Sequence, residues 1–403
     1  MAPERIDFDG RTAEVWSWLP IGEIESEALA QIRNVGSLPC AVAVAVMPDC
    51  HKGYGMPIGS ALATKRAVVP YAVGVDIGCG MIALQTDLRA PSRGQVKDIL
   101  DRIYASVPVG MPTKKDRAAG SHRERQNSTV LRRWWEERGD AFPGAKEIRE
   151  RADHQLGTLG SGNHFLEVQS TAVDGELWLM LHSGSRSFGK KICDAHHERA
   201  LAWCAANGVK LSDRELAYLP TDGDEVREYL VDMGYAMRFA EESRARMEVA
   251  CREAIGEVLG PFEVTFRIET HHNFAATETH DGTEVVVHRK GAVSTARGVQ
   301  VTIPGSMQTG SYIGRGIPNE RALDTCAHGA GRRMGRNAVR RAHAGVDIRA
   351  EMEAEGIVLV SPPHSDALDE AGRAYKDIES VMRYQSDLVH PLVQLRPLGV
   401  VKG

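Results

Sequence analysis

Short apolar runs rich in valine recur along the chain and end in Gly, Pro, Ser or His. Runs of this length, bounded by turn-forming residues, predict buried strands. We therefore expect several strands inside the protein, separated by turns that carry polar side chains. The predicted strands cover residues 41–46, 67–75, 177–181, 263–268, 285–287, 298–303 and 356–360.

Longer segments with apolar residues at helical spacing lie between these runs. In segment 224–259, Val226, Leu230 and Met233 begin such a series, and Gly260 with Pro261 ends it. Segment 92–107 begins with Ser92, a good N-cap residue. Two further helices are predicted at 319–344 and 366–388. Because strands and helices do not alternate strictly, the pattern indicates an α+β fold rather than a doubly wound sheet.

Composition limits the classes of function. With 403 residues, 42% of them hydrophobic, the chain can bury one large core or two smaller ones around a shared site. The formal net charge is −5, so any nucleic acid must be bound by local clusters of Arg and Lys. The seven cysteines are scattered and odd in number, which favours a reducing compartment over a disulfide framework. Since no apolar stretch reaches the length of a membrane span, we expect a soluble, cytoplasmic protein without membrane contact.

One polar stretch, residues 112–126, has the composition of a mobile insertion. It contains Lys114, Lys115, Arg117, Arg123 and Arg125. Composition alone leaves two interpretations open, a solvated loop or an arm that contacts RNA.

Histidines and carboxylates cluster in glycine-rich turns at predicted strand ends. Small neighbours let the backbone approach a ligand closely and let imidazoles converge, whereas core histidines usually have bulky apolar neighbours. This pattern indicates a functional site. The segments are MPDCH (47–51), VDIGCGM (75–81), GSGNHFLE (160–167), LHSGSR (181–186), THHN (270–273) and CAHGAGR (326–332).

Asp76 and Cys79 form a D-x-x-C pair that can hold one cation or let sulfur bridge two. Two residues do not complete a site, and His164, His182 and His272 are the natural additional ligands. A mixed set of hard and soft ligands suits Mn²⁺, Zn²⁺, Fe²⁺ or Co²⁺ better than Ca²⁺ or Mg²⁺. Cys79 as a nucleophile is the alternative, but no single histidine outranks the metal role.

Two further glycine-rich segments, 160–163 and 305–307, offer backbone N–H groups suited to phosphate. Arg186 and Arg332 each follow a turn histidine by four residues, where a guanidinium can fork onto phosphate oxygens. Together these features indicate a phosphoryl-transfer site with one or two metal ions. They leave open whether water, a hydroxyl or an imidazole attacks.

The motifs taken together resemble the RtcB family of GTP- and manganese-dependent RNA ligases, which act in tRNA splicing and RNA repair. The resemblance runs in order from about residue 40 to Gly403. Besides the segments above it includes MPDCHKGYGMPIGS, LHSGSRSFG, RKGAVS, IPGSM, HGAGRRMGR, AYKDI and the terminal VKG. It implies an RtcB-like α+β fold, with packed β-sheets surrounded by helices and one catalytic domain over residues 1–403.

The resemblance also implies a reaction. A histidine corresponding to His328 takes GMP from GTP and passes it to an RNA 3′-phosphate, and a 5′-hydroxyl end then displaces it. A 2′,3′-cyclic phosphate would first be opened. The implied partners are such RNA ends and, in some family members, an archease-type activator. The metal ligands implied for two Mn²⁺ ions are Asp76, Cys79, His164, His182 and His272.

The remaining implied contacts concern the nucleotide and the RNA. Candidate RNA or phosphate contacts are Asp49, His51, Lys52 and Arg186. Lys52 stands two positions nearer the MPD motif than the lysine of many family members, which suggests an RNA-repair branch with its own RNA preference. Nucleotide contacts carry over to Asn163, Glu167, Ser306, Ser311, Arg332, Tyr375 and Lys402.

Two rival functions remain. A metal-dependent phosphoesterase acting on RNA ends would use the same ligands with activated water and would not need His328. A non-catalytic RNA-binding protein would be expected to have lost part of the ligand set, whereas every expected ligand is present.

Overall fold

The computed structural model describes residues 2–110, 128–362 and 367–403, so the polar stretch 112–126 lies outside the described residues. Eighteen strands occur in the described ranges. They are β1 (Glu4–Arg5), β2 (Glu14–Ser17), β3 (Ala41–His51), β4 (Ile58–Thr64), β5 (Ala67–Val68), β6 (Gly80–Arg89), β7 (Phe165–Thr171), β8 (Glu176–Ser183), β9 (Leu219–Pro220), β10 (Val264–His271), β11 (Asn273–His280), β12 (Thr283–Lys290), β13 (Ala292–Ser294), β14 (Gln300–Ile303), β15 (Ser311–Gly316), β16 (Thr325–Ala327), β17 (Val358–Val360) and β18 (Val389–Lys402).

Ten α-helices accompany these strands in the described ranges. The helix predicted at 224–259 has those bounds, and Ser92 caps α3 by accepting from the Gln95 N–H in a capping box. The helices are α1 (Ser26–Gly36), α2 (Pro70–Val73), α3 (Arg93–Ser106), α4 (Thr129–Arg138), α5 (Ala145–Gln155), α6 (Arg186–Ala206), α7 (Asp224–Leu259), α8 (Arg336–Ala342), α9 (Ile348–Ala354) and α10 (Ile378–Tyr384).

Two large sheets dominate, which confirms the α+β class. One has six strands in the order β1-β2-β3-β4-β12-β11. The other has the order β10-β6-β8-β7-β18-β15-β14, with β17 added beside β18. Among the strands of the described ranges nearly all pairs are antiparallel, and the parallel pairs are β2–β3 and β17–β18. Apolar side chains of α3 and α7 pack on the larger sheet in a core that includes Leu100, Leu181 and Met247.

Three of the predicted elements differ from the structure. Segment 67–75 is a strand only at β5, because Pro70 begins α2 with its fixed φ. Segment 319–344 is not one helix, since Leu323 and Asp324 have positive φ and β16 follows them. In segment 366–388, two short 3₁₀ turns precede α10, whose N-terminus is capped by Asp377.

In the described ranges, none of the helices combines the length and the apolar character needed to cross a membrane.

Candidate metal and nucleotide site

The register of the eight-stranded sheet brings the predicted ligands to one end of the sheet. Gly80 at the start of β6 pairs with Ser183 near the end of β8 and with His271 at the end of β10. In the next row, His182 pairs with Phe165 at the start of β7, and Phe165 pairs with Lys402 at the end of β18. Because neighbouring strands run antiparallel, the start of one strand lies beside the end of the next, at the same end of the sheet.

His272 is the one residue between β10 and β11, so it joins the larger sheet to the six-stranded sheet. Its backbone N–H donates to the Cys79 carbonyl, and its own carbonyl accepts from the Ala292 N–H. The candidate site therefore lies at the junction of the two sheets.

The five predicted ligands form two groups that share Cys79. Within each group the candidate ligand atoms lie within 4.8 Å of one another. The Cys79 Sγ atom lies 3.3 Å from His182 Nε2 and 3.6 Å from His164 Nε2. The groups are Asp76–Cys79–His164 and Cys79–His182–His272.

Contacts on the outer side of the imidazoles orient their inner nitrogens. Nδ1 of His164 donates to the Leu159 carbonyl at 3.0 Å, and Nδ1 of His182 donates to the Asn163 carbonyl at 3.2 Å. Both rings therefore direct Nε2 into the cluster, which is the atom through which they would bind a metal ion. The Nε2 atoms of His182 and His272 face each other at 3.3 Å. A cation between them would satisfy both lone pairs, so the donor set fits a transition-metal ion.

Electrostatics keeps Asp76, His182 and His272 in their metal-binding forms but favours the protonated thiol of Cys79. Burial lowers the pKa of His182 and of His272 well below the usual value, which keeps both rings neutral. Burial alone would raise the pKa of Asp76, but contacts with His164 and Arg186 lower it to about 2. Burial and Asp76 raise the pKa of Cys79, so a cation that binds sulfur displaces its proton.

A buried arginine from α7 holds the turns that carry two of these ligands. Arg244 Nη1 donates to the Gly78 and Ser183 carbonyls, each at 2.9 Å, and its Nε donates to Glu269 at 3.0 Å. The two carbonyls adjoin Cys79 and His182. Arg244 was missed in the sequence, although a charge at a buried position of an amphipathic helix is a recognisable signal.

The His328 imidazole lies beside the metal-ligand cluster. Its ring centroid is 4.8 Å from that of His272. Its Nδ1 donates to Oδ2 of Asp49 at 2.7 Å, and its backbone N–H reaches the same oxygen at 3.2 Å. Asp49 has no exposed surface. With the proton fixed on Nδ1, the Nε2 lone pair is free to attack an electrophile.

His328 borders a cavity of about 210 Å³ that opens to solvent. Asn163 and Arg332 lie where phosphates could approach the histidine, and His51 also contributes to the wall. The predicted nucleotide contacts that line this cavity are Asn163, Glu167, Ser306, Arg332, Tyr375 and Lys402.

A buried carboxylate, Glu370, holds the polar wall of the cavity together. Arg332 and Arg336 each donate to its Oε1 at 3.1 Å. On the other oxygen, Tyr375 donates its hydroxyl hydrogen and Lys402 Nζ lies at 3.5 Å. Burial opposes ionisation, yet these cations lower the pKa of Glu370 to about 2. Glu370 was missed because its segment was predicted as plain helix.

The pKa of the second buried carboxylate of the cavity, Glu167, is shifted in the opposite direction from that of Glu370. Gln169 donates to it, and Lys402 is the nearest cation. Burial raises the pKa of Glu167 to about 8. Two carboxylates in one cavity therefore differ in charge at neutral pH.

Four predicted contacts lie away from the cavity wall. Ser311 is buried behind Glu167 and accepts from Gln169 at 3.1 Å. Lys52 is exposed and pairs with Glu27 at 2.5 Å. Arg186 is buried beside His164, donates to the Gly110 carbonyl at 3.3 Å and has a positive φ. Asp49 has no exposed surface and accepts a hydrogen bond from His328 Nδ1 at 2.7 Å.

Comparison with known proteins places this site in a family. The model of the family described as tRNA-splicing ligase RtcB matches residues 31–403. The chain is 38% identical to the RNA-splicing ligase RtcB of Escherichia coli strain K12, over 97% of this chain and 98% of that protein. It is 33% identical to the tRNA-splicing ligase RtcB of Archaeoglobus fulgidus, over 94% and 92%. For the RNA-splicing ligase RtcB of Mycobacterium tuberculosis the identity is 32%, over 93% and 100%.

The matches span almost the whole of this chain and of each relative, and they include every segment that contributes to the cluster and the cavity. The chain therefore belongs to the RtcB family of tRNA-splicing ligases.

Proposed function

We propose that the protein is a GTP-dependent RNA ligase in which His328 becomes guanylylated. It would join RNA ends bearing a 3′-phosphate or 2′,3′-cyclic phosphate to ends bearing a 5′-hydroxyl. The observation that carries this proposal is the His328–Asp49 pair. A histidine whose Nδ1 donates to a buried carboxylate and whose side chain lines an open cavity is prepared to act as a nucleophile.

In the first proposed step, His328 Nε2 attacks the α-phosphorus of GTP. A nitrogen–phosphorus bond forms, the bond from the α-phosphorus to the bridging oxygen breaks, and pyrophosphate leaves. The positive charge that develops on the imidazole is balanced by Asp49, because its carboxylate accepts the Nδ1 proton in a 2.7 Å hydrogen bond.

In the second step, an oxygen of the RNA 3′-phosphate attacks the same phosphorus and releases His328, leaving GMP joined to the RNA end through a diphosphate. In the third step, the 5′-hydroxyl attacks the RNA phosphorus, a phosphodiester forms and GMP leaves. A cyclic phosphate would first take up water to become a 3′-phosphate. Asn163 and Arg332 border the cavity near His328 and can donate to the phosphate oxygens.

We further propose that two manganese ions bind here and that Asp76, Cys79, His164, His182 and His272 would hold them, with Cys79 a member of both ligand groups. The two overlapping ligand groups and the inward-facing Nε2 atoms support this assignment. Bound manganese would neutralise charge on phosphate oxygens and orient the reacting groups.

Guanine recognition is assigned to the part of the cavity wall that Glu167 and Lys402 form. Glu167, once ionised, can accept from N1–H and N2–H of guanine, and Lys402 can donate to O6. Tyr375 can stack on the base, and Ser306 can donate a hydrogen bond. Ser311 would act indirectly, through Gln169.

Residues 1–403 are proposed to form one catalytic unit, because both sheets contribute to the site and meet at His272. An archease-type activator and a role in RNA repair or tRNA splicing rest on family membership alone. The second candidate, a metal-dependent phosphoesterase, would need the same cluster but would leave the His328–Asp49 pair without a task.

The deciding experiment uses GTP labelled at the α-phosphate together with Mn²⁺. Wild-type protein should retain acid-labile label after denaturation, and His328→Ala should retain none. His390→Ala is the matched control, because His390 is exposed on β18 and should be dispensable. Absence of label from the wild type under every divalent ion would overturn the ligase proposal. In that case, GTP-independent release of phosphate from RNA ends would favour the phosphoesterase.

A further inference from the structure

We infer that Lys376 is a positioning residue for His328 and that it acts through Asp49. The inference rests on the proposed guanylylation of His328. Lys376 does not line the nucleotide cavity, although its neighbour Tyr375 does.

The Lys376 ammonium binds the strand on both sides of Asp49. Nζ donates to the Pro48 carbonyl at 3.0 Å and also to the Cys50 carbonyl. These carbonyls belong to the residues immediately before and after Asp49. One side chain therefore fixes the backbone from which the Asp49 carboxylate projects.

The backbone of Lys376 binds the segment that carries His328. Its N–H donates to the Gly331 carbonyl at 3.0 Å. Gly331 has a φ of +67°, and a Cβ at this position would lie 2.1 Å from the Asp49 carbonyl oxygen. The segments of Asp49 and His328 are thus in direct backbone contact, and Lys376 bridges them.

Asp49 needs such support because the sheet does not provide it. Pairing of β3 with β4 is irregular between Val46 and His51, so ladder hydrogen bonds do not define this stretch. Within the described residues, Oδ1 of Asp49 is buried and has no hydrogen-bond partner, and Oδ2 serves His328 alone. The direction of the carboxylate is therefore set by its backbone, which Lys376 holds on both sides of Asp49 and which His51 Nδ1 holds at the Asp49 carbonyl at 2.9 Å.

The test measures single-turnover guanylylation with α-labelled GTP and Mn²⁺. Lys376 is proposed to position the nucleophile His328 and not to take part in guanine binding. Lys376→Met should therefore lower the rate at saturating GTP by about tenfold or more, the scale of a misplaced catalytic group. The GTP concentration for half-maximal rate should change less than about twofold. Lys376→Arg keeps donors on the side chain and should recover part of the rate.

A double-mutant cycle separates this role from general stabilisation. In an Asp49→Ala background, Lys376→Met should change the rate by less than about twofold, because the residue it positions is gone. Arg138→Met is the matched control, since Arg138 is a half-buried arginine at the end of α4 that pairs with Glu228 and Asp232 of α7. It should lower thermal stability without changing the rate. Fully additive losses for Lys376→Met and Asp49→Ala would overturn the inference, as would a loss confined to GTP binding.

A second measurement does not depend on activity. In metal-free protein, nitrogen-15 spectra of the imidazoles, assigned with His328→Gln, should show the proton of His328 on Nδ1 in the wild type and a mixture of tautomers in Lys376→Met. An unchanged tautomer in the variant would overturn the inference. If the wild-type protein took up no label from α-labelled GTP but Lys376→Met still changed the tautomer of His328, the proposed function would be refuted. The positioning role of Lys376 would remain supported.

Discussion

Oδ2 of Asp49 accepts two hydrogen bonds from His328, one from the ring Nδ1 at 2.7 Å and one from the backbone N–H at 3.2 Å. The pair fixes both the tautomer and the direction of the ring, as carboxylates do in histidine-based catalysis.

Asp49→Ala should therefore slow guanylylation by about a hundredfold or more, because nothing then holds the proton of His328 on Nδ1 and the ring in position for attack by Nε2. Asp49→Asn keeps an acceptor without the charge and should lose less. Single-turnover labelling at saturating GTP measures both, and titration of GTP into the unreactive proteins checks that binding persists. Wild-type rates in Asp49→Ala would remove the carboxylate from the mechanism.

Glu167 predicts a pH dependence of base binding. Burial raises its pKa to about 8, so below that pH the carboxyl is protonated and must lose its proton to accept from guanine N1–H and N2–H. Affinity should consequently rise with pH between 6 and 8, by up to about tenfold per unit. Guanosine is the suitable ligand for calorimetric titration because it has no phosphate to titrate in this range.

Glu167→Gln is the control for that dependence. The amide cannot titrate, so guanosine should bind this variant weakly and at a strength independent of pH. A wild-type affinity that is flat from pH 6 to 8 would show that Glu167 does not ionise on binding.

Glu370→Gln should weaken GTP binding. Without the charge, Arg332, Lys402 and the Tyr375 hydroxyl lose their common partner and their fixed geometry. Removing a buried charge that serves several cations lowers the free energy of unfolding by about 3–5 kcal/mol. If about 1.4 kcal/mol of this appears in GTP binding, KM for GTP rises about tenfold, and we expect a rise of at least that size. Transfer of GMP from pre-labelled protein to a 3′-phosphate RNA should change much less.

The contrary result for Glu370→Gln would be an unchanged KM with slower chemistry. Glu353→Gln offers a comparison, because this exposed carboxylate only pairs with Arg93 at the surface. It should leave KM unchanged.

Gly184→Ala should damage the metal cluster. An added Cβ would lie 2.3 Å from both carboxylate oxygens of Asp76, so the carboxylate would have to move. Co²⁺ binding can be followed through the visible absorption of the bound ion. In Gly184→Ala, Co²⁺ should bind more weakly, or the absorption from an ion held by Asp76, Cys79 and His164 should be missing. Gly234→Ala has open space around the added carbon and lies within α7, where alanine is preferred, so it should bind Co²⁺ normally. Equal cobalt spectra for the two variants would argue against Asp76 as a ligand.

The sequence was most informative where local pattern and final structure obey the same rule. The periodic series predicts the bounds of α7, and the capping serine predicts the start of α3, although Leu230 of that series is exposed. Segment 319–344, which contains His328, was predicted as one helix. In the structure, the positive φ of Leu323 and Asp324 and the glycine turn after His328 interrupt it.

The candidate site shows the same division. Histidines in glycine-rich turns were recognisable, and the structure brings Asp76, Cys79 and the three histidines together. Glu370 and Lys376 were not recognisable as parts of the site, because their importance lies in partners that are distant in sequence. Nothing in a local pattern reveals that one carboxylate will meet Arg332 and Lys402, or that one lysine will bind both neighbours of Asp49.

The junction at His272 also restricts how the chain length can vary. On one side of it the side chains alternate in register with β6, and on the other side Asn273 donates to the Asp76 carbonyl and accepts from the Gly291 N–H. Inserting or deleting a single residue here would turn every side chain of one strand to the opposite face. The number of residues between β10 and β11 is therefore constrained to one. Loops elsewhere can change in length during evolution, but the length of this connection can change only if both sheets change with it.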